Sequence, residues 1–211
     1  KNNVDWTPTD LEALPADTQP ITQYKPASNR DSYDRAYTHW DNHSARDYYR
    51  IAWRNMAPLT GARTLMPAII PIHSAHLQSV TSTTFLTHPM RTLIMVAGST
   101  SSLISDFMIR ASGRGHINGS DFELLPALDE RSLIAPFLVL RTLRLNCLTD
   151  AYANLWAECW DESFVWDSPI LERYDERPIG PKWTMDTPLR RAEDRRNAQV
   201  EIDVMVAMML G

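Results

Sequence analysis

The sequence predicts an α+β fold with a small mixed or antiparallel β core and a long amphipathic helix, followed by C-terminal helices. Two hydrophobic periods support this prediction. In YYRIAWRNM, at positions 48–56, apolar and polar residues alternate as they do in a strand with one buried face. Further along the chain, apolar residues recur at spacings of three and four, the helical period. With 211 residues, 44% of them hydrophobic, the chain is long enough to bury a substantial core.

These patterns divide the chain into three parts. Residues 1–36 carry four prolines among acidic and polar residues and show little periodicity, so we expect an extended arm or linker there. Residues 37–128 are expected to form an α+β domain, and residues 129–211 a helical region packed on it. Because the chain begins with Lys1 and not with Met, we expect it to be a piece of a longer protein.

Three strands are predicted in the first half of the α+β domain. The first places two sets of side chains on opposite faces, namely Tyr49, Ile51 and Trp53 on one and Arg50, Ala52 and Arg54 on the other. A turn is expected from Pro58 to Gly61. RTLMPAII, at 63–70, and LQSVTSTTFL, at 77–86, are further strands, and Pro67 indicates an edge strand or a bulge for the former.

A single amphipathic helix is predicted in MRTLIMVAGSTSSLISDFMIR, at 90–110, ending near Gly113. Its apolar positions at helical spacing are Leu93, Val96, Leu103 and Phe107, with Ala97, Ile104 and Met108 beside them. HINGSDFELLPAL, at 116–128, is expected to be a short strand or loop.

The C-terminal region is predicted to contain one or two helices after Arg131, a Pro-rich acidic excursion over 161–188, and a last helix. That helix is expected to have Thr187 as its N-cap and Pro188 in its first turn. Its predicted inner face comprises Val200, Val204 and Met208. The cysteines and three of the tryptophans are expected to be core residues, with the thiols reduced: Cys147, Cys159, Trp53, Trp156 and Trp160.

Positive charge is concentrated in one part of an acidic chain. The net charge is −5, yet the window from Trp40 to Ser120 holds seven arginines against three aspartates, a local balance of +4 that leaves −9 elsewhere. Arginine suits forked contacts with phosphates and guanine edges. Arginines that merely decorate a half-buried sheet would give the same pattern, so charge alone leaves both interpretations open.

The sequence predicts no self-sufficient active site. Gly113, Gly115 and Gly119 have the wrong spacing for a dinucleotide-binding loop, and no nucleophile elbow is present. His39 with His43, and His73 with His76, lack the carboxylate or thiol cluster that would complete a metal site. The absence of a membrane-spanning run or a leader predicts a soluble, cytoplasmic protein with no membrane partner.

The stretch 48–80 resembles a block in the C-terminal specificity regions of large adenine-N6 DNA methyltransferases. These enzymes are found among type IIG restriction–modification enzymes and in phage-defence systems such as DISARM and BREX. In that block an Arg-rich strand and a turn precede an R-T pair and an I-I-P stop, matched here by Arg54, Arg63-Thr64 and Ile69-Ile70-Pro71. The order of motifs gives the resemblance its specificity.

Later parts of the chain follow the same family order, so the resemblance covers about residues 40–211. The family continues with a helix reading roughly L-x-x-L-N-S, a long apolar helix and a short strand closing on L-P. MVAGSTSSLISDFMIR and INGSDFELLPAL occupy those places, with Gly98 where an Asn is usual. AEDRRNAQVEIDVMVAMMLG is similar to the closing I-D-x-x-V-A-x-x-Y-G helix, with Leu210 in place of the aromatic residue.

The resemblance implies that the chain is a DNA target recognition region. The family's N-P-P-Y loop for the extruded adenine and its Gly-containing loop for S-adenosylmethionine are absent from this sequence. The cofactor and the chemistry would then belong to a catalytic methyltransferase domain N-terminal to Lys1, which would be a partner along with double-stranded DNA. The methylase extrudes its target base, so a second domain has to hold and read the duplex.

The expected DNA contacts cluster after the first strand and after the long helix: Arg54, Arg63, His73, Ser74, His76, Arg110, Arg114, His116 and Asn118. Arginine and the Asn118 amide suit base edges, whereas serine and histidine suit phosphates. A scaffold role is equally open for Arg54 and Arg63, and Arg63 is expected to tie down the carbonyls of the turn. Arg114, between two glycines, is expected to face DNA.

Two other classes of function remain open on sequence grounds. One is a non-catalytic module that docks a partner protein through the acidic C-terminal helices. The other is a small histidine-dependent hydrolase.

Overall fold

The computed structural model describes residues 9–19, 27–58, 60–167 and 179–211, and the fold there is α+β. Leu59 of the predicted turn, Pro8, Pro20 and Pro26 of the predicted arm, and 168–178 of the acidic excursion lie outside these residues. The strands are β1 (His39–Trp40), β2 (His43–Ser44), β3 (Arg50–Arg54), β4 (Ala68–Ile70) and β5 (Val80–Thr83). The helices are α1 (Arg30–Ala36), α2 (Met90–Thr100), α3 (Leu103–Ala111), α4 (Gly119–Phe122), α5 (Ala135–Asn146), α6 (Ala153–Glu158) and α7 (Ala192–Leu210).

The three predicted strands form one sheet in the order β4-β3-β5, with both neighbours antiparallel to β3. The edge position predicted for the Pro67 strand is confirmed, since β4 lies at one side of the sheet. Because β4 and β5 are both antiparallel to β3, they run parallel to each other. Residues 71–79, which join them, must therefore pass across β3 from one end of the strand to the other, and we call this segment the crossover loop.

The odd-numbered face of β3 packs into the core as predicted. Ile51 and Trp53 are buried, and the Trp53 ring stacks on Phe122 with a centroid separation of 4.1 Å. Behind them α2 packs against α5. Gly98 permits this close approach, because a Cβ at that position would lie 2.5 Å from the Thr142 hydroxyl oxygen.

The expected single long helix is two helices, α2 and α3, bent by 65° relative to each other. The run of hydroxyl side chains at the junction explains the break, since the Ser102 hydroxyl bonds the Ser99 carbonyl and accepts the Ser105 N–H at the start of α3. Because of the break, the apolar positions of α3 no longer face the same side as those of α2. Leu93 and Ala97 of α2 are buried, but Leu103 and Phe107 of α3 are exposed.

The predicted start and inner face of the last helix were wrong. The helix begins at Ala192, and Thr187 instead closes a turn by accepting the Thr184 N–H at 2.8 Å. Four apolar residues of α7 face the core, whereas the predicted set is exposed. The buried residues are Ala198, Ile202, Met205 and Val206, and the exposed ones are Val200, Val204 and Met208.

A buried ion pair fixes the rotation of α7. Arg141 of α5 donates to Glu201 of α7 at 2.6 Å and also pairs with Asp167. Burial by itself lowers the pKa of Arg141, but the bonds and charges of the two carboxylates outweigh burial and raise it. Turning α7 to bury Val200 would separate Glu201 from Arg141 and remove one of the two carboxylates that balance this buried guanidinium, which is unfavourable.

Parts of residues 1–36 contact the C-terminal region. Asn29 caps α1 by accepting the Ser32 N–H, and the Arg190 guanidinium donates to the carbonyls of Leu11 and Leu14 at 2.9 and 3.2 Å.

The cysteines are reduced and buried as predicted, and burial raises both thiol pKa values, that of Cys159 to about 12. Across the described ranges, no single helix combines the length and apolarity needed to cross a bilayer.

Candidate nucleic-acid interface

The structure sorts the nine predicted contact residues into three groups. The first lies where β3 ends: Arg54, Arg114, His116 and Asn118. The second lies in the crossover loop: His73, Ser74 and His76. The third consists of Arg63 and Arg110 and lies around the turn that follows β3.

The first group is assembled by a short ladder between residues 55–57 and 115–117. The Ala57 N–H donates to the Gly115 carbonyl at 3.0 Å, and the Ile117 N–H donates to the Asn55 carbonyl at 2.8 Å. The side chains also join, with the His116 Nδ1 lying 2.6 Å from the Asn55 Oδ1. This ladder brings the loop after α3 beside the end of β3, where His116 is exposed.

Arg54 is the last residue of β3, and its side chain faces solvent. Within the part of the chain that the structure describes, its guanidinium makes no hydrogen bond or ion pair. Its five N–H donors are therefore available to an anion or a base edge.

Arg114 was expected to face DNA, but its guanidinium is also engaged in an ion pair within the protein. Its guanidinium pairs with the buried carboxylate of Asp121, whose other oxygen accepts the Asn118 N–H at 2.9 Å at the start of α4. The side chain of Arg114 remains 56% exposed, and the preceding Gly113 has a φ of +67°, which favours glycine. Arg114 thus stabilises its own loop while still presenting part of its guanidinium to solvent.

The crossover loop is held by two arginines that the sequence pattern did not assign to any site. Arg46 donates twice to the His73 carbonyl, at 2.6 and 3.2 Å, and also pairs with Asp34. Its own carbonyl accepts the His73 N–H at 2.6 Å, and His73 has a φ of +65°. A non-glycine residue in this left-handed region is held there by its surroundings, so Arg46 fixes the tip of the loop with the His73 side chain exposed.

Arg50 holds the next residue of the loop. The alternation of β3 placed Arg50 on a solvent face, but the crossover loop covers that face and the residue is 0% exposed. Its guanidinium donates to the Ser74 carbonyl and to the Tyr37 hydroxyl, while its Nε has no hydrogen-bond partner among the described residues. The alternating pattern shows which residues share a face, but it cannot show that a distant loop buries that face.

His76 joins the crossover loop to β5. Its Nε2 lies 2.7 Å from the Ser82 hydroxyl and its Nδ1 lies 3.1 Å from the Leu77 carbonyl. Burial lowers the pKa of His76, and the positive charge of Arg50 lowers it further against the opposing effect of the Leu77 carbonyl. The neutral imidazole, with Nδ1 as the donor, fits this arrangement.

The third group is engaged within the protein, and the expected role of Arg63 in tying down the turn was wrong. Arg63 donates to the Ser101 carbonyl and to Asp203 of α7, both at 3.3 Å, so it links the turn to the helices. The turn itself is held by Arg110, which donates to the Gly61 carbonyl at 2.9 Å and to the Thr64 hydroxyl at 3.2 Å.

Asp106 completes this arrangement, although the sequence pattern did not single it out. Its buried carboxylate accepts the N–H groups of Thr64 and Leu65 at 2.6 and 2.7 Å and lies 3.6 Å from the Arg110 guanidinium. The spacing of four residues between Asp106 and Arg110 on a helix predicts an ion pair between them. The bonds from Asp106 to the turn join residues about forty positions apart, and local spacing does not predict them.

The described residues contain no cluster of three or more His, Cys, Asp or Glu side chains placed to hold a metal ion. His39 and His43 lie on the β1–β2 hairpin and not on a shared helix face, with Trp40 opposite His43. The sheet end and the crossover loop thus offer cations, amides and imidazoles.

Comparisons of the chain with protein-family models, with curated proteins and with solved structures found no match.

Proposed function

We propose that this chain binds double-stranded DNA as the target recognition region of an adenine-N6 DNA methyltransferase from a restriction–modification or phage-defence system. The observation that carries the proposal is the exposed Arg54 guanidinium at the end of β3, where the ladder of residues 55–57 and 115–117 brings in the loop with His116 and Asn118. An arginine with free donors at a rigid sheet end suits a phosphate or a guanine edge, and an exposed Asn amide suits adenine.

The crossover loop supports the same proposal because it ends beside the end of β3. The Asn55 N–H donates to the Ser79 carbonyl at 2.9 Å, so the loop runs from His73, near the start of β3, to the neighbour of Arg54. We assign His73 at its tip to a phosphate contact, and Arg46 and Arg50 to positioning the loop. Arg63 and Arg110 are assigned to the protein scaffold, because their guanidinium groups are already bonded within the protein.

In this proposal the methyl transfer belongs to a separate catalytic domain that binds S-adenosylmethionine. The resemblance of residues 40–211 to the specificity regions supports this division. Calorimetry with S-adenosylmethionine and a methyl-incorporation assay on DNA are expected to give no signal with this chain alone. Saturable binding of S-adenosylmethionine to this chain would contradict the proposal that a separate domain binds the cofactor.

The DNA proposal is tested by fluorescence anisotropy with a short labelled duplex at low salt. Replacing Arg54 with Ala is expected to weaken binding by about tenfold without changing the melting temperature, because a charge-assisted contact is lost and no internal bond is broken. Arg131→Ala is the matched control, since Arg131 is also exposed but lies far along the chain from this surface. Equal losses in both variants, or no binding at all, would overturn the proposal.

A second candidate, a protein-docking module, is favoured by the exposed apolar side chains of α3 and α7. Phe107 is 70% exposed and Met208 is 65% exposed, and Val200 and Val204 lie on the same side of α7 as Met208. Retention on DNA-cellulose at low salt separates the two functions. A chain that passes through unretained fits the docking module and not the DNA proposal.

A further inference from the structure

A cavity of about 440 Å³ lies beyond the outer edge of β4, between that strand and helices α5 and α7. Its volume is in the range of small-molecule sites. One part of its wall is apolar and is formed by Pro67, Ile69, Leu145, Leu148 and Ile202. The sheet end that carries Arg54 is not part of this wall, so the cavity is separate from the proposed DNA surface.

The wall also carries two neighbouring arginines and no acid. Arg195 and Arg196 both line the cavity, and none of the lining residues is Asp or Glu. Arg195 donates to the Leu145 carbonyl at 3.0 Å and to the Leu189 carbonyl at 2.9 Å, but it forms no ion pair within the described residues. Arg196 is exposed and makes no bond in the same part of the chain.

The positive charge of Arg195 is therefore only partly offset. Burial lowers the pKa of Arg195. Carbonyl dipoles satisfy hydrogen-bond donors, but they do not neutralise a unit charge in a partly dehydrated site. An anion placed in the cavity would be attracted by both guanidinium groups.

The cavity wall is held rigidly, so the space exists before a ligand arrives. The Asn146 side chain accepts the Ile69 N–H at 2.9 Å, and the Tyr152 hydroxyl donates to the Ile69 carbonyl at 2.8 Å. These bonds occupy the outer edge of β4 and oppose the addition of a peptide strand there. The Gln199 amide donates to the Ser101 carbonyl at 3.0 Å and fixes the side next to α2.

We propose that this cavity binds a small organic oxyanion, a carboxylate or a phosphate ester, whose head meets Arg195 and Arg196 and whose apolar body lies against Ile69, Leu145 and Ile202. The combination of an apolar wall with uncompensated guanidinium groups distinguishes this ligand class from an inorganic ion and from a neutral molecule. The guanidinium of Arg196 can bind carboxylate or phosphate oxygens in a forked geometry, whereas Arg195, whose terminal nitrogens already donate to carbonyls, contributes its charge.

The test is a calorimetric titration of the whole chain with phenyl phosphate and with benzoate. Inorganic phosphate supplies the head alone, and benzyl alcohol supplies the body alone. Both organic anions are expected to bind at one saturable site and more tightly than either partial probe. Absence of saturable binding by the organic anions, or equal affinity for inorganic phosphate, would overturn the proposal.

Variants locate the site. Arg196→Ala is expected to weaken phenyl phosphate binding by about tenfold, since one charged contact is lost. Ala68→Trp is expected to abolish it by filling the mouth of the cavity without changing charge, because Ala68 is exposed and lines the cavity. Arg131→Ala should leave the affinity unchanged. Melting temperatures identify any variant that fails to fold, and Arg195 is left intact because it holds two carbonyls.

Competition with DNA tests whether the cavity is distinct from the DNA surface. An unlabelled duplex at saturating concentration is expected to leave phenyl phosphate binding intact, and Arg54→Ala is expected to do the same. Displacement by the duplex, or retention of full affinity in both Arg196→Ala and Ala68→Trp, would show that the anion binds elsewhere and would overturn the assignment.

Discussion

Single charged side chains decide the shape of the turn that follows β3. Asp106 of α3 accepts two buried backbone N–H groups, those of Thr64 and Leu65, and Arg110 holds the Gly61 carbonyl. A buried N–H without a partner is unfavourable by about 1–3 kcal/mol. The turn therefore depends on a helix that follows it by some forty residues.

We expect Asp106→Ala to lower the free energy of unfolding by about 2–5 kcal/mol, since it leaves two buried donors unpaired. Asp106→Asn should lower it less, because its Oδ1 can still accept. Urea unfolding measures both, with Glu123→Ala as the control at an exposed acidic position. If the alanine and control variants unfold at the same urea concentration, Asp106 does not hold the turn.

His76 makes the stability of the crossover loop sensitive to acid. Its pKa lies below the ordinary value of 6.5 because of burial and then Arg50. The unfolded chain therefore takes up the proton first as pH falls, and folding stability decreases below about pH 6.5. The stability that wild type gains over His76→Gln is expected to shrink from pH 7.5 to 5.5, roughly the range that brackets the unfolded pKa.

Melting temperatures across this pH range measure the effect, with His39→Gln as the matched substitution of an exposed histidine. An advantage of wild type over His76→Gln that stays constant or grows in acid would contradict the prediction.

At the scale of elements, the face that a helix buries depends on its polar contacts with neighbouring helices as much as on its own apolar residues. Residues 192–210 contain apolar side chains on several sides, so the helical period alone does not select the buried face. The Arg141–Glu201 pair selects it, and Val204 is left 47% exposed while Ile202 is 0% exposed.

We expect Ile202→Ala to lower the free energy of unfolding by about 2–5 kcal/mol through loss of buried contacts and an unfilled cavity. Val204→Ala should change it by less than about 0.5 kcal/mol, as at other surface positions. Chemical denaturation of the two variants compares them directly. A larger loss of unfolding free energy in Val204→Ala than in Ile202→Ala would show that Val200 and Val204 lie on the inner face.

Over the whole molecule, the chain has a net charge of −5, and the cations that the proposed DNA surface presents to solvent are Arg54 and the partly exposed Arg114. Any DNA binding then depends on short-range contacts of that surface, since the remaining charge repels DNA. If about 4–6 phosphates are neutralised, affinity should fall by about two to three decades between roughly 50 and 200 mM salt. Anisotropy titrations at several salt concentrations give the slope, and a flat response would point to a protein partner.

The local pattern of the sequence determined the α+β class, the central strand with Ile51 and Trp53 buried, the edge position of the Pro67 strand and the buried thiols. Each of these features follows from interactions between near neighbours in the chain, or from the chemistry of one residue, as with proline at an edge. The candidate surface was predicted in part: Arg54 is exposed at the end of β3, and His116 is exposed on the loop that the ladder brings to Asn55.

Only the tertiary structure decided what each arginine does. Arg50, Arg63 and Arg54 belong to one arginine-rich stretch, yet one is buried beneath a loop, one is bonded to α7 and one faces solvent. The partners that separate these roles, Ser74 and Asp203, lie 24 and 140 positions away. The role of a long cationic side chain is set by the carbonyls and carboxylates that the fold brings to it, and the local sequence does not contain them.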